Sequence, residues 1–106
     1  MRQARFNVFE VVADSVRREI LEILKSETLP IHSLVEKFPI SRPAISKHLK
    51  ILEQSGFIRY RKQGKERYCQ LSEQGFKELN IWIRQFEKFW DSHLEILQEL
   101  INKEEL

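Results

Sequence analysis

The sequence predicts a single, mainly α-helical domain with one small β-hairpin, and three observations carry that expectation. Apolar residues recur at three- and four-residue spacing along most of the 106 residues, in runs separated by capping residues and prolines. The stretch 57–71 switches instead to strict alternation on either side of Gly64. From residue 73 the helical spacing resumes, rich in aromatic residues, and continues almost to the end. A chain of this length is one domain. It contains no Gly/Ser linker, internal repeat or low-complexity tract.

The elements follow in order. Phe6, Phe9 and Val12 share a helical face, which predicts a helix over 4–12. Asp14 can accept the unpaired N–H groups at the start of the next helix, SVRREILEILKS, whose Val16, Ile20, Ile23 and Leu24 lie on one side. Pro30 can open a third helix, because its missing N–H costs nothing in a first turn. Ile31, Leu34, Val35 and Phe38 give that helix its apolar face, and Pro39 ends it. Ser41 is a second N-cap, with Pro43 in the first turn of the helix that it opens. Ile45, Leu49 and Leu52 follow at helical spacing, and Gly56 closes the helix in the left-handed conformation.

Next, Phe57, Arg59 and Arg61 alternate with Ile58, Tyr60 and Lys62. The segment KQGKE makes a turn longer than the tight two-residue kind, and residues 67–71 return. Ser72 then caps a long last helix. This order is the plan of a winged helix–turn–helix domain spanning 1–106. Residues 31–56 form the helix–turn–helix and 57–71 the wing, while 1–12 and 73–106 form long N- and C-terminal dimerisation helices.

Charge is unevenly placed. The net charge of +2 hides net values of 0 over residues 1–40, +6 over 41–67 and −4 over 73–106. A local +6 in so short a stretch implies a positive surface suited to a polyanion such as double-stranded DNA. With Ile45 as the centre of the buried face, Leu49 and Leu52 lie within roughly 40° of it at about 100° per residue. Pro43, Lys47, Lys50 and Gln54 fall on the far side and Ser46 on a flank, so the outward face is polar and basic. Arg42 stands at the N-terminal end, where helix–turn–helix proteins reach base edges. Arg42 and Lys47 suit guanine N7 and O6, and Ser46 suits either base type. The blander alternative, an ordinary solvated face, loses ground because a ribbon bearing Arg59, Arg61, Lys62, Lys65 and Arg67 follows directly. The DNA-contacting set is therefore Ser41, Arg42, Pro43, Ser46, Lys47 and Lys50 on the helix, with Arg61, Lys62, Lys65 and Arg67 on the ribbon. Arg59 and Tyr60 fit the base of the wing, where packing is the favoured role, and His48 sits at the boundary of the core.

The last helix is too apolar for a monomer surface. Treated as continuous, its apolar residues cover an arc of roughly 160°, beyond the stripe of about 100° that one core contact needs. Pairing with the same helix of a second copy covers the excess. The expected interface comprises Phe6, Phe9, Trp82, Phe86, Phe89, Trp90, His93 and Leu97, and the partner is a homodimeric second chain. That interface also leaves room for a small-molecule effector.

At this point the sequence resembles a known family. ISRPAISKHLKILEQSGFIRYRKQGKERYCQL resembles the recognition helix and wing of ArsR-type bacterial repressors. FEVVADSVRREILEIL is similar to their opening ALADPTRRRIL pattern, with Ser15 where proline is usual. The resemblance extends over nearly the whole chain. It implies a homodimeric repressor that binds a palindromic operator and blocks transcription. It also implies base contacts at Arg42, Pro43, Ser46 and Lys47 and wing contacts at Lys62, Lys65 and Arg67.

Many members of that family sense metals, but the ligand patterns are incomplete here. One class carries Cys-x-Cys in the first helix of the helix–turn–helix, where this chain has IHSLVEKF. Another carries Asp-x-His and then His-x-x-Glu. Asp91 and His93 match the first half, while QELINKEEL has no histidine. No metal and no cofactor is expected, and His93 reads as a packing residue. Cys69 stands alone, as a structural thiol in preference to a redox sensor, and fits a reducing cytoplasm. His32 has no apparent partner.

No apolar run approaches the roughly 20 residues of a membrane span, and the charged N-terminus does not resemble a signal peptide. Neither a phosphate-binding glycine loop nor a nucleophile with a base at recognisable spacing is present, so no enzyme is expected. The competing reading is a winged-helix protein-interaction module that uses the aromatic C-terminal helix.

Overall fold

The computed structural model describes residues 6–104, ordered as α1 (Val8–Ala13), α2 (Ser15–Leu24), β1 (Leu29–Pro30), α3 (Ile31–Glu36), α4 (Arg42–Gln54), β2 (Ile58–Gln63), β3 (Glu66–Leu71), α5 (Gln74–Arg84) and α6 (Glu87–Glu104). This is the mainly helical, small-sheet architecture expected of a winged helix–turn–helix domain. The proposed helical residues Ala4 and Arg5 lie outside the described part of the chain, and α1 starts at Val8. Its N-cap is Asn7, whose side chain accepts from the N–H of Phe9 at 2.8 Å.

The other caps explain where helices begin. Asp14 accepts the N–H of Arg17 at 3.0 Å and Ser41 that of Ala44 at 3.3 Å, each satisfying a donor that the first turn leaves unpaired. Helix α4 ends in a Schellman motif around Gly56, φ 83°. The N–H of Phe57 donates to the Leu52 carbonyl at 2.9 Å, and that of Gly56 to Glu53 at 3.1 Å. Both Leu52 and Phe57 are fully buried, which adds the apolar contact that usually accompanies the motif.

Three expectations need correction. Leu29 and Pro30 form a short strand on the far side of β3, giving the antiparallel order β1–β3–β2, so Pro30 precedes α3 instead of occupying its first turn. Pro30 is tolerated there because β1 is an edge strand. The wing turn is tighter than KQGKE suggested: Gln63 pairs with Glu66, leaving only Gly64 and Lys65 as the loop. Gly64 has φ 64° while no non-glycine residue among those described has positive φ, the signature of a type II′ turn. Finally, Ser72 does not cap the last helix. Glu73 occupies the cap position without a side-chain bond, and the Ser72 N–H donates to the Phe57 carbonyl at 2.9 Å.

The core lies where α1–α4 meet the sheet. Ile20, Leu34, Ile45, Leu49, Leu52, Phe57, Ile58 and Cys69 are all essentially inaccessible. Each buried side chain of this size contributes about 1.5–3 kcal/mol. Core packing therefore holds α4 by its Ile45–Leu49–Leu52 stripe and leaves the opposite side free.

Candidate nucleic-acid interface

That free side carries Arg42, Pro43, Ser46, Lys47 and Lys50, all exposed, as is the cap residue Ser41. Among the described residues, no carboxylate pairs with Arg42, Lys47 or Lys50. Their charge is left for a partner. His48, one turn into the same helix, is partly buried and faces the end of α1. Its Nδ1 is 3.2 Å from Arg17 Nη1 and 3.8 Å from Asp14 Oδ1. The Arg17 N–H beside Asp14 holds the Asp14 carboxyl below the usual range, and burial opposes this.

The wing follows from pairing register. Ile58 faces Leu71, Tyr60 faces Cys69 and Lys62 faces Arg67, on the side of the sheet that meets the core. Burial pushes the Tyr60 hydroxyl up to about 12 and the Cys69 thiol to about 11, so both stay neutral and unreactive near pH 7. The Arg67 guanidinium sits 4.0 Å from the Tyr60 ring centroid, a close cation–π stack, and Arg61 lies 5.8 Å from that of Tyr68. With its amide oxygen turned toward Arg59, Gln70 accepts from Nε at 2.7 Å and Nη2 at 2.9 Å, so Arg59 belongs to the wing base. Lys62 and Lys65 at the tip are exposed and, among the described residues, pair with no carboxylate. Of the four ribbon cations expected to contact DNA, Lys62 and Lys65 are free, Arg61 is lightly engaged and Arg67 is stacked. His32, without an apparent partner in the sequence, lies 3.5 Å from Glu66 of the wing.

A second surface lies on the terminal helices. Phe9 of α1 meets Trp82 of α5 edge-on at 5.1 Å, and Trp82 meets Phe86 at 4.9 Å. Phe89 contacts Trp90 and stacks near His93 at 4.0 Å. The His93 Nδ1 is 2.8 Å from the Phe89 carbonyl of its own helix. Every one of these side chains is exposed, as are Phe6 and Leu97, and Ile81, Leu94, Ile96, Leu100 and Ile101 add to the apolar surface. The expected single last helix is broken between Arg84 and Glu87. There, Gln85 and Phe86 donate to carbonyls three residues back, a tightened turn between α5 and α6. The arc of roughly 160° presumes one continuous helix; here the exposed apolar residues are divided between α5 and α6. Between α1, α2 and α5 lies an apolar cleft of about 550 Å³, lined by Val12, Leu21, Leu71 and Phe76 and edged by Arg18, Glu19, Glu22 and Lys25.

Two further residues escaped sequence reasoning. Arg17 donates Nε to the Val11 carbonyl at 2.8 Å and Nη2 to Glu10 at 3.2 Å. Arg18 donates Nη1 to Val12 and Ala13 at 2.8 and 2.9 Å. Together they satisfy the last four carbonyls of α1, which its own ladder cannot reach. The only local signal was an arginine pair shortly after a predicted helix end.

Comparison with known proteins is consistent along the chain. Residues 14–60 match the profile of the bacterial regulatory protein arsR family. The transcriptional repressor SdpR of Bacillus subtilis is 34% identical over 88 residues, covering 83% of this chain and 98% of that protein. The HTH-type transcriptional regulator Rv2034 of Mycobacterium tuberculosis is 33% identical over 91% of this chain and 87% of its own length. A crystal structure of an ArsR family transcriptional regulator superposes with a TM-score of 0.71 at 31% identity, covering 79% of this chain and 92% of the other.

Proposed function

The chain belongs to the ArsR family and is a DNA-binding transcriptional repressor; from that premise we propose that it acts in the cytoplasm as a homodimer on a palindromic operator. Its recognition helices, α4 of each copy, enter successive major grooves about 34 Å apart. Arg42, Ser46 and Lys47 then read base edges, with Ser41, Pro43 and Lys50 alongside. Lys62 and Lys65 contact phosphate from the wing tip, and Arg61 and Arg67 contribute from its stem. The aromatic faces of α1, α5 and α6 form the symmetric contact through Phe6, Phe9, Trp82, Phe86, Phe89, Trp90, His93 and Leu97. Any small-molecule effector is assigned to the cleft between α1, α2 and α5, because displacing α1 or α5 would alter the spacing of the two α4 helices.

The observation that carries this reading is the set of exposed α4 and wing-tip cations that, among the described residues, have no carboxylate partner. A dimer presents sixteen basic groups from residues 41–67. If about half meet phosphate, a plot of log affinity against log salt has a slope of about −7. Titrating a duplex selected by the protein from random sequence, at several salt concentrations, measures it. A slope near zero rejects the DNA-binding surface in favour of a protein-docking role for the terminal helices.

A further inference from the structure

We propose that Arg17 and His48 are positioning residues that set the rotation of the recognition helix against the end of α1. This rests on the DNA-reading role of α4. Arg17 lies on α2 but serves two other helices. Its Nε and Nη2 hold the Val11 and Glu10 carbonyls at the end of α1 at 2.8 and 3.2 Å, and its Nη1 reaches His48 Nδ1 on α4 at 3.2 Å. An arginine has no acceptor, so His48 Nδ1 accepts and its ring proton sits on Nε2. Asp14 completes the group: its Oδ1 takes the Arg17 N–H at 3.0 Å and lies 3.8 Å from His48 Nδ1.

The need for such a tether follows from how α4 is otherwise held. Ile45, Leu49 and Leu52 anchor it through apolar contacts, which are non-directional and tolerate small rotations. A rotation that hardly changes burial would still swing Lys47 and Lys50 across the groove. The single bond at His48, between those two lysines in sequence, is directional and removes that freedom. It also makes α1 the reference. Phe9 of α1 packs on Trp82, so the helix carrying part of the proposed dimer face and the helix reading DNA share one guanidinium.

The test compares His48→Leu, His48→Asn and Arg17→Lys with the parent. Asparagine can present Oδ1 where Nδ1 stood, leucine cannot, and lysine keeps the charge but loses the fork. The probes are a duplex that the parent selects from random DNA and poly(dI-dC). His48→Leu and Arg17→Lys should lose about tenfold in the ratio of the two affinities, the scale of one impaired base contact. Poly(dI-dC) affinity and salt slope should stay unchanged, and His48→Asn should restore the ratio. In the parent, the ring nitrogen shifts of His48 should report the Nε2–H tautomer. Equal discrimination by His48→Leu, or a proton on Nδ1, overturns the tether. Should Arg17→Lys prevent folding, the His48 pair and the ring shifts still decide. A parent that prefers no sequence refutes the DNA-reading premise and the tether with it, whereas a discriminating parent matched by His48→Leu refutes only the tether.

Discussion

Lys47 leaves α4 on the side opposite Ile45 and Leu49, exposed and without a carboxylate partner among the described residues. Its expected effect is therefore on recognition. Lys47→Ala should relax preference at one operator position by about 1–3 kcal/mol and leave the melting temperature unchanged. Binding selection on the variant checks this; an unaltered sequence preference removes Lys47 from the base-reading set. At this scale Asp14 and Ser41 were legible in the sequence, because a cap bonds within three residues of itself. The Arg67–Tyr60 stack and the Arg17–His48 bond were not. The first depends on hairpin register and the second joins residues 31 positions apart.

At the scale of elements, α5 meets the core at its first turn, where Gly75 is its one buried residue. A Cβ added at Gly75 would come within 2.9 Å of three atoms of the Phe57 ring, which is fully buried and packed edge-on against Phe76 at 4.9 Å. That ring cannot move aside cheaply. Gly75→Ala should therefore destabilise the domain by about 1–3 kcal/mol, the usual scale of overpacking, despite the helix propensity gained. Urea unfolding measures it, and an unchanged or raised midpoint would show that α5 yields easily. The periodicity in the sequence marked α2, α4 and the two wing strands. It missed β1, since two residues carry no alternation, and it ran α5 into α6, since apolar spacing continues across Gln85 and Phe86.

Over the whole molecule, size and shape disagree with a self-sufficient monomer. The radius of gyration is 18.9 Å, against about 13 Å for a compact chain of this length. The excess comes from the C-terminal arm: from Asn80 to Lys103 every side chain is exposed. A helix of 18 residues that buries nothing is marginal in water, and its phenylalanine, tryptophan, leucine and isoleucine side chains need a cover. Replacing Phe89 and Trp90 with glutamine should give a folded monomer by sedimentation. Operator affinity should fall by about 100-fold as two-site binding is lost. A dimer that survives the double change refutes this interface.

Local chemistry, written in the sequence alone, determined the helix caps, the amphipathic stripe of α4, the basic alternation of the wing and the apolar excess of the last third. Each arises from neighbours within about a turn or across one short hairpin. Tertiary structure alone decided the third strand, the two-residue wing tip, the break after Arg84, and which cations stay free. Those outcomes depend on which distant backbone groups and rings come within bonding distance, and a guanidinium has no preference for a phosphate, a carbonyl or a tyrosine face until the fold supplies one.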